Sequence, residues 1–295
     1  MEWDKSASML LEKVPPFVQK TVREKIETLA RERGKTLVTE VDVMAAREVF
    51  MGKPQNPTVP QRTVAKKPVN NEKLSILKKY TKYFDKEGNP VLYQVKHCRG
   101  GEVNCPFLIT DSKILSDKLR NKLEELHFTE KLMNKIEGQI LPHHTMKLAV
   151  SGCPNSCSMP QIKDFGVHAV EPVYVDHDSE CIECMKCVET CREDAITIKD
   201  GHVSLDKEKC VHCGLCAGVC PTGSIKASEK KYRVMIGGKV GRHPRFALDL
   251  LTQADESATL KALGVCADMI LSSKTERRFR TLVEQQGIEE IKKKI

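Results

Sequence analysis

The stretch HHTMKLAVSGCPNSCSMPQIKDFGVHA, residues His143–Ala169, places two cysteines four positions apart after a short apolar segment. Met146–Val150 predicts a β-strand leading to the first cysteine, and Gly166–Val175 predicts a strand after the second. Three residues separate Cys153 from Cys157, which differs from the two-residue spacing of zinc knuckles and thioredoxin motifs. Two thiols do not complete a metal or cluster site, so further ligands must come from elsewhere in the chain.

Downstream, the pattern C-x2-C-x2-C-x3-C occurs twice at an offset of 29 residues. In bacterial two-cluster ferredoxins three closely spaced cysteines hold one [4Fe–4S] cube and the fourth reaches the other cube. This arrangement predicts one cluster on Cys181, Cys184, Cys187 and Cys220, and a second on Cys191, Cys210, Cys213 and Cys216. Two zinc sites are the alternative, but zinc does not require three cysteines at this spacing twice over. The segment resembles the bacterial ferredoxin module over about 50 residues, with Arg192 where the first run would carry a proline.

Upstream, the unassigned pair is Cys98 and Cys105, in HCRGGEVNC. With this pair, the opening stretch resembles the cluster-binding core of the siroheme-containing sulfite and nitrite reductases, and YRVMIGGKVGRHPRFA and ERRFRTLVEQQG resemble later parts of that family. The resemblance covers roughly residues 90–295. It implies a third [4Fe–4S] cluster on Cys98, Cys105, Cys153 and Cys157, and a siroheme whose iron shares the Cys157 sulfur with the cluster.

The chain departs from this family in two places. Six residues separate Cys98 from Cys105 where most relatives have five. The half that precedes the first pair normally supplies Arg and Lys residues for siroheme and sulfite, yet only residues 54–97 occupy that position. The haem site is therefore either completed by a second subunit or a homo-oligomer, or weakened or absent. Candidate contacts to the anion and the haem carboxylates are Arg99, Arg242 and Arg245, and less strongly Lys147, Lys163 and Lys239.

Before this region, residues 1–51 predict a small helical domain, with Thr39 as a helix N-cap and Asp42 three residues on. It resembles the small C-terminal domain of light-independent protochlorophyllide reductase subunits. Residues 52–71 contain four prolines and predict an extended linker. The expected fold is α+β: a sulfite reductase-like domain over 72–175 and 229–295, interrupted by a ferredoxin-type insert over 176–228.

Composition limits the other possibilities. The chain has 295 residues, a formal charge of +8, 13 cysteines and 5% aromatic residues. The low aromatic content disfavours nucleic-acid binding, and no apolar run is long enough to span a membrane. So many closely spaced cysteines are typical of cluster ligands in a reducing compartment, so we expect the cytoplasm and no disulfides. Cys266 predicts a buried core thiol, and His143 and His144 predict surface or capping roles rather than ligation.

The sequence therefore predicts an iron–sulfur oxidoreductase, either a sulfite or nitrite reductase-type enzyme or a subunit of one. Electrons from a donor protein would pass through the ferredoxin clusters to a [4Fe–4S]–siroheme centre that reduces a small oxyanion. The alternative is a three-cluster electron-transfer protein that has lost the siroheme site.

Overall fold

The computed structural model describes residues 1–12, 14, 16–51, 73–274 and 278–295. The chain divides into two compact units, Met1–Lys67 and Pro68–Ile295. The predicted linker at 52–71 lies outside the described residues. In the described parts, no helix is long and apolar enough to cross a membrane.

The first unit is mainly helical where it is described. Its helices are α1 (Lys5–Glu12), α2 (Pro16–Glu32) and α3 (Glu40–Met51), and the two-residue strands β1 (Glu2–Trp3) and β2 (Leu37–Val38) pair in parallel. Five buried residues form its core: Ala7, Ile26, Ala30, Val38 and Ala46.

The start of α3 is fixed by the predicted Thr39–Asp42 pair. The Thr39 backbone N–H and hydroxyl both donate to Asp42 Oδ2, at 3.0 and 2.7 Å, and the Asp42 N–H donates to the Thr39 carbonyl at 3.0 Å. Lys35 Nζ reaches the same carboxylate at 2.6 Å and is the main cause that lowers the pKa of Asp42 to about 2. Asp42 therefore supplies the half of a capping box in which the N3 side chain accepts from the N-cap N–H.

The second unit is built on one five-stranded sheet. Its strands are β3 (Tyr93–His97), β4 (Met146–Ser151), β5 (Phe165–Val170), β10 (Lys231–Ile236) and β11 (Leu248–Ala254), in the order β11-β10-β5-β4-β3. Strands β3, β4 and β5 are parallel, whereas β10 is antiparallel to both β5 and β11. The mixture of helices and strands confirms the α+β class.

Helices cover one face of this sheet. They are α4 (Ser112–Glu125), α5 (Phe128–Lys135), α8 (Glu256–Ser272), α9 (Phe279–Gln286) and α10 (Ile288–Lys292). Leu119 of α4 and Leu263 of α8 pack with Leu148, Val150 and Phe165 of the sheet in one buried core. Asp111 caps α4, since its side chain accepts from the Lys113 N–H at 2.8 Å. Because side chains alternate along a strand, the residues between these core positions face the opposite side.

Between β5 and β10 the chain forms a segment of short strands and helices, called the insert below. It contains β6 (Val173–Val175), α6 (Lys186–Thr190), β7 (Ile196–Lys199), β8 (His202–Leu205), α7 (Leu215–Val219) and β9 (Ile225–Ala227). Strand β6 pairs with β9, and β7 pairs with β8, both antiparallel.

The predicted strand over Gly166–Val175 proves to be two strands in different sheets. The first ends at Val170, and the second pairs within the insert. The break follows from Glu171, whose N–H donates to the His212 carbonyl at 2.7 Å, and from Pro172, which has no N–H. By pairing and packing, Val173–Val175 therefore joins the insert, three residues before the predicted boundary.

Candidate functional site

The first cysteine group lies where two neighbouring parallel strands end. Cys98 directly follows β3, Cys153 follows β4, and the Cys98 N–H donates to the Val150 carbonyl at 3.0 Å. Burial raises the pKa of the Cys153 thiol, and the nearby thiols of Cys157, Cys105 and Cys98 raise it further. The structure thus brings together the four residues that the resemblance assigned to one cluster.

Small residues let the backbone approach these thiols closely. The Gly152 N–H donates to Cys98 Sγ at 3.2 Å. A Cβ on Gly152 would come within 3.0 Å of Leu108 Cδ1 and the Thr110 carbonyl oxygen. The Ser112 hydroxyl lies 3.2 Å from Cys98 Sγ and donates to the Cys98 carbonyl at 2.9 Å. N–H and O–H donors aimed at cluster sulfurs tune the reduction potential, so this arrangement suits an iron–sulfur cube.

The CPNSC loop is held by serines. Ser158 Oγ lies 2.6 Å from Ser151 Oγ and donates to the Val150 carbonyl at 2.9 Å. Ser156 has a positive φ of 56° and its hydroxyl lies 2.8 Å from His168 Nδ1. This bracing leaves Cys157 exposed, whereas Cys153 is buried.

His168 is a site residue that the sequence did not single out. It lies on β5, is only 4% exposed, and its Nε2 has no hydrogen-bond partner among the described residues. Burial lowers its pKa to about 4, with a smaller effect from Arg233 and an opposing one from Asp249. From the sequence alone, a single histidine in an apolar strand cannot be assigned either to holding a neighbouring loop or to packing in the core.

In the insert, thiols from the two cysteine runs lie near one another. Burial raises the pKa of Cys187, and Cys220 and Cys181 add to the effect. Burial likewise raises the pKa of Cys216 to about 12, with further contributions from Cys213, Cys210 and Cys191. Cys184 is exposed in the loop between Cys181 and Cys187.

The spacing of these thiols matters for the choice between zinc and clusters. Among the described residues, no three His, Cys, Asp or Glu side chains are arranged to hold a single metal ion. A four-iron cube keeps its thiolates farther apart than one tetrahedral ion does, and cysteine quartets are its usual ligands.

The second insert group borders the first cysteine group. A small cavity of about 50 Å³ is lined on one side by Cys153, Pro154 and Asn155 and on the other by Cys191, Cys210, Cys213 and Cys216. Phe107 also lines it, and the Arg192 guanidinium lies 4.5 Å from the Phe107 ring centroid. The arginine that replaces the ferredoxin proline thus contacts the host domain.

The three candidate arginines fall in two places. Arg99 follows Cys98, is 77% exposed at its side chain and pairs with Glu102 at 3.1 Å. Arg242 and Arg245 are exposed in the turn after β10, whose last residue pairs with Phe165 at the start of β5. That end of the sheet is opposite to the cysteines, so Ile236, where this turn begins, lies about 15 Å along the strands from the first cysteine group.

The siroheme expectation can be tested against these positions. The exposed Cys157 thiol is suited to sharing its sulfur with a second group. The macrocycle also carries several carboxylates, and in the described part of this unit the only candidate arginine beside the cysteines is Arg99, already paired with Glu102. The described residues therefore do not by themselves form a cradle for siroheme.

The remaining expectations concern single residues. The Leu141 N–H donates to His144 Nδ1 at 3.1 Å, which is the predicted capping role. Cys266 is fully buried in the core, also as predicted.

Comparison with known proteins identifies related families for both units. The family model described as the nitrite and sulphite reductase 4Fe-4S domain matches residues 90–295. The model described as the proto-chlorophyllide reductase 57 kD subunit matches residues 3–47.

Among curated proteins, the chain is 37% identical to a coenzyme F420-dependent sulfite reductase of Methanocaldococcus jannaschii over 99 residues, covering 34% of this chain and 16% of that protein. It is 49% identical over 47 residues to an uncharacterized ferredoxin of the same organism, covering 15% of this chain and 31% of that protein. The chain thus spans a third or less of the length of these two relatives.

Among solved structures, dissimilatory sulfite reductase I matches with a TM-score of 0.45 and 17% identity, over 68% of this chain and 51% of that one. The NirA protein of Mycobacterium tuberculosis matches with a TM-score of 0.39 and 16% identity, over 67% and 26%.

Proposed function

The chain belongs to the nitrite and sulphite reductase 4Fe-4S domain family, and on that premise we propose that it is an iron–sulfur oxidoreductase that passes electrons along three [4Fe–4S] clusters. The observation that carries the proposal is the grouping of twelve cysteines into three sets of neighbours. The proposed ligands are Cys181, Cys184, Cys187 and Cys220 for an outer cluster, Cys191, Cys210, Cys213 and Cys216 for a middle cluster, and Cys98, Cys105, Cys153 and Cys157 for an inner cluster.

The order of transfer is supported by the contacts between the groups. The middle group shares a cavity with Cys153, whereas no residue of the outer group lines it. Electrons would therefore enter at the outer cluster, pass to the middle cluster and reach the inner one. Arg192 and Phe107 hold the insert against the host domain at this crossing point.

A donor docking surface at the outer cluster is supported by charge and exposure. Residues 176–228 contain ten acidic and six basic side chains, although the whole chain carries +8. Seven of the ten acids fall within 176–194, around the first cysteine run. Ile182 and Met185, beside the exposed Cys184, are 63% and 41% exposed. Two exposed apolar side chains surrounded by acidic residues suit an electron-donor protein with a basic surface, because opposite charges raise the rate of association.

A second candidate function adds siroheme and reduction of a small oxyanion, sulfite or nitrite, at the inner cluster. It is favoured by the exposure of Cys157 and by the similarity to a protein named as a sulfite reductase. When bound, siroheme would supply the site at which several electrons reach one substrate. Among the described residues only Arg99 of the candidate arginines lies beside the cysteines, so in this candidate a second subunit or a second copy would complete the pocket.

A cytoplasmic setting is part of the same proposal. All thirteen cysteines lie in the described part of the chain, and all are free thiols in the structure. Thiols that must remain available for cluster assembly suit a reducing compartment.

The experiment is anaerobic spectroscopy of the purified full-length chain. Iron and acid-labile sulfide should each approach about twelve per chain, the sum for three cubes. A zinc-rich protein with no reducible signal would refute the cluster proposal.

Siroheme should then be added to the chain alone and to the chain with any co-purifying partner. Haem bands that appear only with the partner would support the shared-pocket candidate. A chain that takes up no haem under either condition would leave electron transfer as its function.

A further inference from the structure

A basic cavity lies at the end of the sheet away from the cysteines. Its volume is about 80 Å³, and it opens where β4 begins, β5 begins and β10 ends. The charged groups that line it are Lys147, Lys163, Lys239, Arg278 and Arg280, with His143 and one acid, Asp164. Lys147 precedes Ser151 by four residues, or about 13 Å along β4, so the cavity is separate from the cluster ligands.

Four of these cations have no ion-pair partner among the described residues: Lys147, Lys163, Lys239 and Arg278. Arg280 is different, because it donates to the carbonyls of Gly237 and Phe246 at 3.1 and 3.0 Å and pairs with Glu284 at 2.9 Å. Among the described residues, the lining therefore has an excess of positive charge that no neighbouring acid neutralises.

The backbone holds these cations together despite their repulsion. Gly238 donates to the Lys163 carbonyl at 2.7 Å, and Gly237 donates to the Asp164 carbonyl at 2.8 Å. A Cβ on Gly238 would lie 2.6 Å from the Gln161 carbonyl oxygen and 2.8 Å from Lys163 N. The two glycines thus dock the turn after β10 tightly against residues 161–164, and this places Lys239 beside Lys163.

Asp164 is the acidic residue among those that line the cavity. Its Oδ2 accepts from the Lys147 backbone N–H at 2.8 Å, which fixes the carboxylate. Lys147, Arg278 and Lys163 all act on it electrostatically. One carboxylate cannot balance four cations, and Lys96 and Lys147 also repel Lys163 strongly enough to lower its pKa, after the larger effect of burial.

We propose that this cavity is a binding site for a tetrahedral dianion of the sulfate or phosphate type, either free or as the phosphate group of a larger molecule. Such an anion offers several acceptor oxygens to converging Lys and Arg donors and relieves their repulsion. The proposal does not depend on the clusters or on the reaction at the inner centre.

The test is binding of inorganic sulfate to the anaerobic full-length protein by calorimetry, at constant ionic strength against chloride. Lys163→Met should weaken binding about tenfold, since a charged hydrogen bond is lost from a half-buried site. Lys261→Met is the matched control, because Lys261 is exposed on α8 and forms no ion pair with a described residue. It should bind sulfate as the wild type does.

Asp164→Asn should change the affinity for sulfate in the opposite direction. It removes the one negative charge in the cavity while keeping an oxygen for the Lys147 N–H, so sulfate should bind several-fold more tightly. A merely structural role for Asp164 would not strengthen anion binding. Absence of sulfate and phosphate binding above chloride in the wild type, or equal losses in Lys163→Met and Lys261→Met, would overturn the proposal.

A parallel titration distinguishes the two sources of the anion. Binding of glycerol phosphate much more tightly than inorganic phosphate would assign the site to a phosphate group of a larger ligand. Equal or weaker binding would assign it to the free anion.

Discussion

Gly152 and Cys98 meet across two strands, with the Gly152 N–H donating to Cys98 Sγ at 3.2 Å. The pairing of β3 with β4 creates this contact, because the register His97↔Val150 brings the residues after each strand side by side. The donor and the thiol are 54 residues apart in sequence, so the contact forms only when the sheet is complete.

The first prediction concerns Gly152→Ala. The new methyl group would come within 3.0 Å of the Thr110 carbonyl oxygen, a backbone atom that cannot move away cheaply. We expect a loss of about 2–3 kcal/mol in the free energy of unfolding and reduced occupancy of the inner cluster. The measurements are denaturant unfolding and iron content under anaerobic conditions.

Gly264→Ala is the control for that substitution. Gly264 lies inside α8, and outside its chain neighbours and the backbone of its own helix no atom lies within 4 Å of the position that an added methyl group would take. Alanine should therefore stabilise the helix by up to about 1 kcal/mol. Equal effects of the two substitutions would show that the crowding at Gly152 is not what matters.

The second prediction tests the exchange of the fourth cysteines in the insert. Cys191→Ser should remove the same electron paramagnetic resonance component of the reduced protein as Cys216→Ser, because both thiols lie in the middle group. Cys184→Ser and Cys220→Ser should instead remove the outer component, and the inner cluster should persist in all four variants. If Cys191→Ser matched Cys184→Ser, each run would hold its own cluster and the assignment would be wrong.

The third prediction concerns electron entry. Glu180 and Glu189 lie around the first cysteine run, on the acidic side of the insert. Replacing both with Lys should slow reduction by the cationic radical of methyl viologen several-fold at low salt, and the difference should fade at high salt. Stopped-flow bleaching of the cluster absorbance measures this rate.

Two comparisons belong with that experiment. Anionic dithionite should reduce the same variant at least as fast as the wild type. Glu137→Lys together with a second exposed-acid change outside the insert should have little effect on the viologen rate, because Glu137 lies on the host domain. A similar slowing in both variants would mean that only net charge matters.

The fourth prediction is a pH dependence of stability from His168. Burial lowers its pKa in the folded protein from 6.5 to about 4. The unfolded chain therefore binds the proton more readily, so stability is fully present above about pH 6.5 and is lost as the pH falls toward 4. The loss should be on the order of 3 kcal/mol.

His168→Gln tests the source of this dependence. Glutamine keeps a polar group near Ser156 but does not titrate, so the difference in unfolding free energy between about pH 7 and about pH 4.5 should shrink. Urea unfolding at several pH values measures it. An unchanged pH profile would assign the acid sensitivity to other groups.

The sequence was most informative where the spacing of the cysteines by itself indicates which cofactor they bind. The two cysteine runs predicted the exchange of Cys191 and Cys220. In the structure Cys220 acts on the pKa of Cys187 and Cys191 on that of Cys216, while the assignment of the ligands stays a prediction. Spacing works here because a cube accepts only a few loop lengths between its ligands. The Thr39–Asp42 cap and the strand Met146–Ser151 were also predictable, since both depend on residues close in sequence.

Long-range pairing was not predictable in the same way. The apolar run Gly166–Val175 contains no local sign that the chain leaves one sheet at Glu171 and enters another. Lys163 and Lys239 were likewise recognised but not placed, and Arg278 was not singled out, because the meeting of these three residues around one cavity depends on how β5, β10 and α9 are arranged. His168 escaped notice for the same reason.

The pairing of Val170 with Lys231 has a consequence for how this protein could have arisen and how it could be re-engineered. Strands β5 and β10 are adjacent and antiparallel, so the whole ferredoxin-type segment occupies the place of a hairpin loop. The antiparallel pairing of β6 with β9 holds the two ends of this segment together. A segment whose two ends are adjacent can be gained, exchanged or deleted without changing the strand order of the five-stranded sheet. The cysteine-rich segment is therefore separable from the five-stranded sheet. Replacing this one segment could adapt such a domain to a different electron-donor protein.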